Sequence, residues 1–220
     1  MINIYLNGAS GKMGASIDEL VAKDDEFNIL NESLSNKHDC IIDFSRPESS
    51  MELLAECKEK EIFIPVIIGT TGFNDDQIKE INELSKLLPI LLSFNLSTGI
   101  HNLKNGIKKI IDNLDKPTSC KIKEFHHINK IDSPSGTAIE LKALIKEVDV
   151  KNLISSIHTD SVRKGSFFGI HDIKFTNENI QISIIHKALS RKIFANGALK
   201  ASKKIIGRIP GIYDLNSIEN

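Results

Sequence analysis

Residues 2–14 read INIYLNGASGKMG, and the fold that we predict follows from this stretch. An apolar run, Ile2–Leu6, precedes a turn with glycines at three-residue intervals, and apolar residues then recur at helical spacing. In such a strand–turn–helix unit the backbone can approach a pyrophosphate, which the N–H groups of the helix N-terminus would face. Because the spacing is GxxGxxG and not GxGxxG, the turn could also join strand and helix without any ligand.

The following residues continue the alternation of strand and helix. Buried strands are predicted at Phe27–Leu30, Cys40–Phe44, Ile62–Ile68 and Ile90–Phe94. Two capping boxes, Ser45-x-x-Glu48 and Asn74-x-x-Gln77, predict where two of the helices begin. Strands that alternate with helices favour a parallel sheet with right-handed crossovers. We therefore predict an α/β protein whose first domain is Rossmann-like.

The pattern changes after Asn95. The later strands, such as Cys120–Phe125, alternate apolar and charged residues, which is typical of a sheet with one solvated face. Asn177-Glu178-Asn179 is a turn typical of a hairpin. We therefore predict a second, α+β domain with an open mixed or antiparallel sheet, and we expect the C-terminal tail to return to the first domain. The predicted domains are residues 1–96 with 195–220, and residues 97–194.

The composition excludes several classes of protein. The chain has 220 residues with 28 basic and 29 acidic side chains, so it lacks the overall positive charge of a nucleic-acid-binding protein. No apolar run approaches the roughly 20 residues of a membrane span, and residues 1–7 lack the pattern of a signal peptide. The cysteines, Cys40, Cys57 and Cys120, have no metal-binding spacing. We expect reduced, mostly buried thiols, no metal site and a cytoplasmic protein.

Residues 124–138, which read EFHHINKIDSPSGTA, combine an anion-binding turn with titratable side chains. We predict that the hydroxyls of Ser135 and Thr137, the Gly136 N–H and a helix N-terminus converge into a cradle for an anion.

The first half of that segment supplies two imidazoles and an ammonium, from His126, His127 and Lys130. Neighbouring residues of a strand face opposite ways, so the two histidines cannot share a role unless the chain turns there. A single histidine is often structural, but two histidines beside a lysine and an anion cradle favour a catalytic site.

The segment resembles the signature E-x-H-H-x-x-K-x-D-x-P-S-G-T-A of the 4-hydroxy-tetrahydrodipicolinate reductase family, also called dihydrodipicolinate reductases, and matches it throughout. Other motifs of the family occur in the same order over nearly the whole chain: residues 8–14, 43–47, 69–73, 95–99 and 194–198. The resemblance implies NAD(P)H-dependent reduction of 4-hydroxy-tetrahydrodipicolinate, by way of dihydrodipicolinate, to tetrahydrodipicolinate. This reaction belongs to diaminopimelate and lysine biosynthesis. The resemblance also implies that the second domain binds substrate and forms a homotetramer.

The resemblance further implies roles for individual residues. The cofactor-binding positions are Gly8, Ala9, Ser10, Gly11, Lys12 and Met13 at the pyrophosphate, Gly69, Thr70 and Thr71 at the nicotinamide ribose, and Ser93, Phe94, Asn95 and Leu96 beside the nicotinamide. His126 matches the acid/base and Lys130 the proton donor. The substrate carboxylates would be held by His127, Lys130, Ser135, Gly136 and Thr137. We expect His126 and Lys130 to face a solvated cleft.

The chain departs from the family pattern at positions that determine selectivity between NADH and NADPH. It is short for the family after the second strand and between Leu153 and Ser161. Glu32 is our candidate for the acid that holds the adenosine ribose, but Ser33 follows it in place of an arginine. Glu32 and Lys12 could also be merely solvated side chains. We predict that both NADH and NADPH are used.

Two other functions stay open at this point. The chain could be a reductase of the same fold that acts on another small carboxylate, or a non-enzymatic dinucleotide sensor. A sensor has no need for two proton donors over an anion cradle, which argues against the second alternative. The alternating strands of the second domain leave a sheet face or edge to be covered, which agrees with a homotetramer. We expect no nucleic-acid or membrane partner.

Overall fold

The computed structural model describes residues 1–30 and 32–219. In chain order the elements are β1 (Ile2–Asn7), α1 (Lys12–Val21), β2 (Phe27–Ile29), β3 (Cys40–Asp43), α2 (Pro47–Glu59), β4 (Val66–Ile68), α3 (Asp75–Leu84), β5 (Pro89–Leu92), α4 (Thr98–Asp112), β6 (Thr118–His126), α5 (Gly136–Val148), β7 (Ile154–Arg163), β8 (Ile170–Thr176), β9 (Gln181–Lys187), α6 (Lys192–Ile205), β10 (Gly211–Tyr213) and α7 (Leu215–Glu219). They form two compact units: Met1–Ser97 with the segment from Arg191 onward, and Thr98–Ser190.

The first unit contains a six-stranded sheet, in the order β10-β5-β4-β3-β1-β2, whose pairings are all parallel. Both of its faces are buried: Ile41 of β3 packs in the apolar cluster with α2 and α3, whereas Ile42 packs in the cluster with α1 and α6. Burial on both sides explains why these strands are continuous apolar runs. The predicted Rossmann-like parallel sheet is confirmed. Its strands all end at one edge, where ligands of such sheets bind.

The second unit contains a mixed four-stranded sheet in the order β7-β6-β8-β9. Strand β6 pairs parallel with β7 and antiparallel with β8, which pairs antiparallel with β9. Buried and exposed residues alternate along β6, where Ile122 is buried and Lys121 exposed. The buried side chains form one apolar cluster with α4 and α5. The predicted mixed sheet is confirmed, and the predicted turn at 177–179 joins β8 to β9.

The two predicted capping boxes have different outcomes. Asn74 and Gln77 form a reciprocal capping box at the start of α3. The prediction for Ser45 is wrong, because α2 begins after Arg46 and has no side-chain cap. The Ser45 hydroxyl donates to the Asp43 carboxylate at 2.6 Å instead. A charged acceptor makes a stronger hydrogen bond than a neutral one, so the carboxylate outcompetes the helix terminus.

One strand boundary differs from the prediction, and one strand was not predicted. Strand β4 begins only at Val66, because Pro65 has no N–H group to donate to the neighbouring strand. Strand β10, which the sequence analysis did not predict, pairs with β5. The tail therefore returns to the first unit, as expected.

The three cysteines are buried and form no disulfide. Burial raises the pKa of each thiol, those of Cys40, Cys57 and Cys120, to about 12. Thiols that stay protonated at neutral pH are poor nucleophiles and poor metal ligands. Within the described residues, no helix is long and apolar enough to cross a membrane.

Candidate active site

Close backbone contacts shape the glycine turn between β1 and α1. At Gly8 the φ angle is +84°, and a Cβ atom would lie 2.6 Å from the carbonyl oxygen of Phe44, so only glycine fits. At Gly14 a Cβ atom would lie 2.3 Å from a carbonyl oxygen of the turn. Helix α1 has Gly11 as its N-cap, without a side-chain cap, and its first turn contains no acidic residue. Neither a capping side chain nor an acidic residue of its own first turn therefore occupies the N-terminal N–H groups of α1, which fits the pyrophosphate of a dinucleotide.

A buried carboxylate, Asp43, joins three loops at the carboxyl edge of the sheet. It accepts hydrogen bonds from Asn7 Nδ2 at 2.9 Å, from the Ser45 N–H at 3.0 Å and from Thr70 Oγ1 at 3.2 Å. These donors follow or end β1, β3 and β4 respectively. Thr70 is 4% exposed, so its hydroxyl holds the loop together.

The other predicted cofactor residues of the first unit differ in exposure. Ala9, Ser10, Gly11 and Lys12 are exposed, whereas Met13, Gly69, Thr71, Phe94 and Asn95 are partly buried. The Ser93 hydroxyl donates to the Asn95 carbonyl at 3.1 Å. Leu96 is 1% exposed and packs in the apolar core, so it can offer a cofactor only its backbone.

Glu32, the candidate ribose acid, is exposed and lies in the loop after β2. Its Oε2 pairs with the Nζ of Lys37 at 3.2 Å. The sequence analysis missed this lysine, because it found no basic residue directly after the acid. Although an exposed pair contributes little to stability, it places a cation beside the acid.

In the second unit the central feature is Glu124, a fully buried carboxylate of β6. Its Oε1 accepts hydrogen bonds from the Ser135 N–H and from Arg163 Nη2, each at 2.9 Å. Its Oε2 lies 3.1 Å from Nδ1 of His126, and neither of these two atoms has a hydrogen bond of good geometry. Burial would raise the pKa of the Glu124 carboxyl, but the nearby His126, Ser135 and Ser161 side chains hold it well below its ordinary value. Glu124 is therefore ionised at neutral pH.

His126 is the last residue of β6 and is only 7% exposed. The expectation that it faces a solvated cleft is wrong, because it lies on the same buried strand face as Glu124. Its ring meets that of His171 edge to face, with 5.3 Å between centroids. Burial, and next the neighbouring His126, lower the pKa of His171 to about 3, so this ring is neutral at neutral pH. One carboxylate and one neutral imidazole thus border His126.

The loop between β6 and α5 carries His127 and Lys130. Strand β6 ends at His126, so His127 already belongs to the loop. The Nζ of Lys130 pairs with Oδ1 of Asp132 at 2.7 Å, and their side chains are 17% and 29% exposed. Arg163 Nη2 donates to the Asp132 carbonyl at 2.5 Å, which fixes the loop to β7. The Lys130 ammonium has three N–H donors, so it can bind a second carboxylate in addition to Asp132.

The components of the predicted anion cradle lie at the first turn of α5. Ser135 is the N-cap, and its Oγ accepts the Ala138 N–H at 3.2 Å. Gly136 is the first helical residue. The side chains of Ser135 and Thr137 are buried, with 2% and 3% exposed.

Three residues of these sites were given no individual role from the sequence: the buried Asp43 and His171, and the partly buried Arg163. A signal existed for Asp43, because a carboxylate at the end of an apolar strand requires buried donors. Arg163 and His171 had no local signal, since they meet Glu124 only through the pairing of β6 with β7 and β8.

A parallel sheet with a glycine turn at its carboxyl edge, together with a second unit that carries histidine, lysine and the predicted anion cradle, is typical of an oxidoreductase of the nicotinamide-dinucleotide class. Residues 28–96 match the family model "Dihydrodipicolinate reductase, N-terminus", and residues 99–218 match "Dihydrodipicolinate reductase, C-terminus". The chain belongs to the dihydrodipicolinate reductase family.

Curated relatives align along the whole chain. The 4-hydroxy-tetrahydrodipicolinate reductase of Clostridium tetani is 35% identical over 251 residues, which cover 100% of this chain and 98% of the relative. That of Alkaliphilus oremlandii is 31% identical over 240 residues, which cover 100% and 99%. The fold resembles that of the dipicolinate-bound dihydrodipicolinate reductase from Paenisporosarcina sp. TG-14, with a TM-score of 0.72, 21% identity and 97% of both chains covered.

Proposed function

We propose that the chain catalyses the NAD(P)H-dependent reduction of 4-hydroxy-tetrahydrodipicolinate, by way of dihydrodipicolinate, to tetrahydrodipicolinate in diaminopimelate and lysine biosynthesis. The observation that carries this proposal is the arrangement in the second unit. There, the buried Glu124 contacts both His126 and the first residue of the anion cradle, Ser135. The curated relatives named for this activity support it.

The two substrate carboxylates require two groups of donors. The N-terminus of α5 offers one group, formed by the Ser135 hydroxyl and the N–H groups of Gly136 and Thr137. Lys130 and His127 form the other group, because the Lys130 ammonium has further N–H donors besides the one directed at Asp132. Charge-assisted hydrogen bonds of this kind orient a planar dicarboxylate as well as bind it.

Reduction of the ring requires one hydride and one proton. Bound NADH or NADPH supplies the hydride. Lys130 is the proposed donor of the proton that the ring needs as negative charge develops on it. His126 is the proposed acid/base group, and the Glu124 carboxylate 3.1 Å away stabilises the imidazolium that forms when this ring takes up a proton.

Both NADH and NADPH are expected to serve as cofactor. The uncapped N-terminus of α1 can receive the pyrophosphate that the two share. At the adenosine ribose, the acid Glu32 suits the free hydroxyl of NADH, and its partner Lys37 suits the 2′-phosphate of NADPH. With both groups present, neither cofactor is strongly rejected.

The reaction is tested by following NADH or NADPH oxidation with freshly prepared 4-hydroxy-tetrahydrodipicolinate. Turnover with this substrate, and not with other small carboxylates, is the expected result. A reductase for a different carboxylate would oxidise the cofactor only with that compound, and a sensor would bind the cofactor without oxidising it.

A preference between NADH and NADPH above roughly 100-fold, about 2.7 kcal/mol, would contradict the proposed use of both cofactors.

The protein is proposed to act in the cytoplasm as a homotetramer formed by the second unit, residues 97–194 by the predicted boundaries. Helices α4 and α5 pack in the apolar cluster with the buried face of the four-stranded sheet. The opposite side chains of the terminal strand β9 are exposed, including Ile185 with 59% of its surface. An exposed sheet face of this kind is a common site of subunit association. The number four comes from the family resemblance.

A further inference from the structure

We propose that Glu124 is a positioning residue: one oxygen of its carboxylate orients the His126 ring, and the other holds the start of the anion cradle. A single buried group then sets the distance between the proton-transfer histidine and the substrate carboxylate. The proposal rests on the proposed function and extends it to a residue that has no assigned role.

The two oxygens of Glu124 have different partners. Oε1 accepts the Ser135 N–H, the backbone donor that precedes α5, and Arg163 Nη2, each at 2.9 Å. Oε2 faces the His126 Nδ1 at 3.1 Å, and the Nε2 of His171 lies 4.0 Å away. Glu124 and His126 are two residues apart in a strand, so their side chains lie on the same face. The cradle and the histidine are therefore connected through one rigid carboxylate.

The contact between Oε2 and Nδ1 determines which nitrogen of His126 carries a proton. Both atoms are buried, and neither has a hydrogen bond of good geometry. A buried carboxylate oxygen can only accept, so a small rotation of the ring completes the bond if Nδ1 carries the hydrogen. Nε2 is then the nitrogen that exchanges a proton. Gly169 leaves room beside it, since a Cβ atom there would lie 3.2 Å from Nε2.

Arg163 and His171 allow the ionised Glu124 carboxylate to orient His126. Arg163 balances its charge, which makes an ionised carboxylate tolerable in a buried site. His171 is 1% exposed and neutral, because burial and then the neighbouring His126 lower its pKa. A neutral His171 does not compete with His126 for the negative charge.

The variant Glu124→Gln reverses the hydrogen-bond direction toward His126. Its amide oxygen has to face the Ser135 N–H and Arg163, which are donors, so its NH2 group faces Nδ1. Nδ1 must then accept, and the ring proton moves to Nε2. We expect kcat to fall at least about 100-fold, with KM for NADH unchanged. Glu140→Gln is the matched control: it removes a carboxylate paired with Lys104 at 2.9 Å, and we expect kcat to stay within threefold.

The tautomer of His126 is read directly from the ring-nitrogen chemical shifts of histidine-labelled protein, and the His126→Gln spectrum identifies the signal. Wild type is expected to carry the proton on Nδ1 and Glu124→Gln on Nε2. A tautomer that does not change, or a kcat within threefold of wild type, would overturn the proposal. This measurement needs no turnover, so it stays informative if the wild type fails to reduce the proposed substrate.

Glu124→Gln leaves Arg163 buried without its charged partner and could fail to fold. The double variant Glu124→Gln/Arg163→Met removes both charges, and we expect it to show the same tautomer change and the same loss of kcat. A folded double variant with Nδ1–H and normal kcat would show that Glu124 serves only to pair Arg163.

One more measurement separates positioning from metal binding. Ligand atoms of Glu124, His126 and His171 lie within 4.8 Å of one another and could hold a metal ion. Wild-type kcat should be unchanged after dialysis against EDTA. A loss that Zn²⁺ restores would overturn the proposal, because the three side chains would then be metal ligands.

Discussion

Substitution of the buried His126 is expected to affect both catalysis and stability, and kinetics can separate its catalytic role from that of Lys130. The proposed acid/base role predicts that His126→Gln lowers kcat by about 10²–10⁴-fold and leaves KM for substrate within a few-fold. Lys130→Ala should raise KM and lower kcat together, because this side chain is proposed both to bind a carboxylate and to donate the proton. Steady-state and single-turnover kinetics measure the difference. The exposed lysine of α5, Lys146, provides the control variant Lys146→Ala, which should change neither constant.

The same preparations show whether His126 is merely structural. Its side chain is only 9% exposed, so a lower melting temperature for His126→Gln is expected in either case. The assays must therefore be run below the melting temperature of every variant. A His126→Gln protein with a near-normal single-turnover rate would contradict the acid/base assignment.

Contacts within the site could be predicted from the sequence only where the contacting residues lie close together along the chain. His126, Lys130 and Ser135 occur within fifteen consecutive positions, and their chemistry and helix-capping pattern can be recognised together. Arg163 contacts Glu124 across 39 positions, and only strand pairing brings them together. The burial of His126 escaped prediction for a similar reason, because its ring also packs against His171 of β8, 45 positions further along the chain.

The glycine turn between β1 and α1 leads to a prediction for both stability and cofactor binding. A Cβ atom at Gly14 would lie 2.3 Å from a carbonyl oxygen, so Gly14→Ala forces the turn to shift. We expect a loss of about 1–3 kcal/mol of stability and weaker binding of both NADH and NADPH. Denaturation and fluorescence titration measure the two effects.

The neighbouring residue supplies the control for this prediction. Ala15 is exposed on the same helix, so Ala15→Ser should leave stability and both affinities nearly unchanged. Normal affinity for both cofactors in Gly14→Ala would mean that the turn does not hold the pyrophosphate.

Helix starts could be predicted only where no stronger acceptor lies nearby. Asn74 and Gln77 have the expected pattern and form the capping box. Ser45 and Glu48 have the same pattern, but the buried carboxylate of Asp43 takes the serine hydroxyl. Strand β10 has only three residues, Gly211–Tyr213, and follows a proline, so neither a periodicity nor a continuous apolar run marked it in the sequence.

For the whole molecule, the neutral His171 predicts a loss of stability in mild acid. Its pKa, lowered to about 3 by burial first and His126 second, lies below the value of about 6.5 in an unfolded chain. Above pH 6.5 both states are neutral, and below it only the unfolded state takes up a proton. Between pH 7 and pH 5 this costs about 2 kcal/mol, a loss that His171→Gln should lack.

Chemical denaturation at several pH values tests this prediction. Glu124 does not interfere, because its lowered pKa makes a stabilising contribution that is lost only below about pH 4.3. His186, whose pKa is lowered by burial, adds a loss of the same sign in both proteins. Ala15→Ser, which changes no titratable group, is the control and should keep the wild-type slope. Equal slopes for wild type and His171→Gln would contradict a neutral, buried His171.

The proposed homotetramer is a second prediction for the whole molecule. Light scattering at micromolar concentration should give four times the chain mass of 24.4 kDa. Ile185→Lys, on the exposed face of β9, should weaken association because it places a charge where a partner would have to desolvate it. Lys79→Glu on α3, in the other unit, is the control. A monomeric wild type would contradict the prediction.

The discontinuity of the first unit sets an order in which the chain can fold during synthesis. Residues 98–190 carry all four strands of the second sheet in one uninterrupted segment, so they can fold as soon as they leave the ribosome. The first sheet must wait, because α6 and the edge strand β10 emerge only afterwards. Until then the apolar face of β1, β3 and β4 that α6 later covers stays open to solvent. The first sheet is thus begun first and completed last. The nascent chain depends most on protection from aggregation in the interval before α6 and β10 emerge.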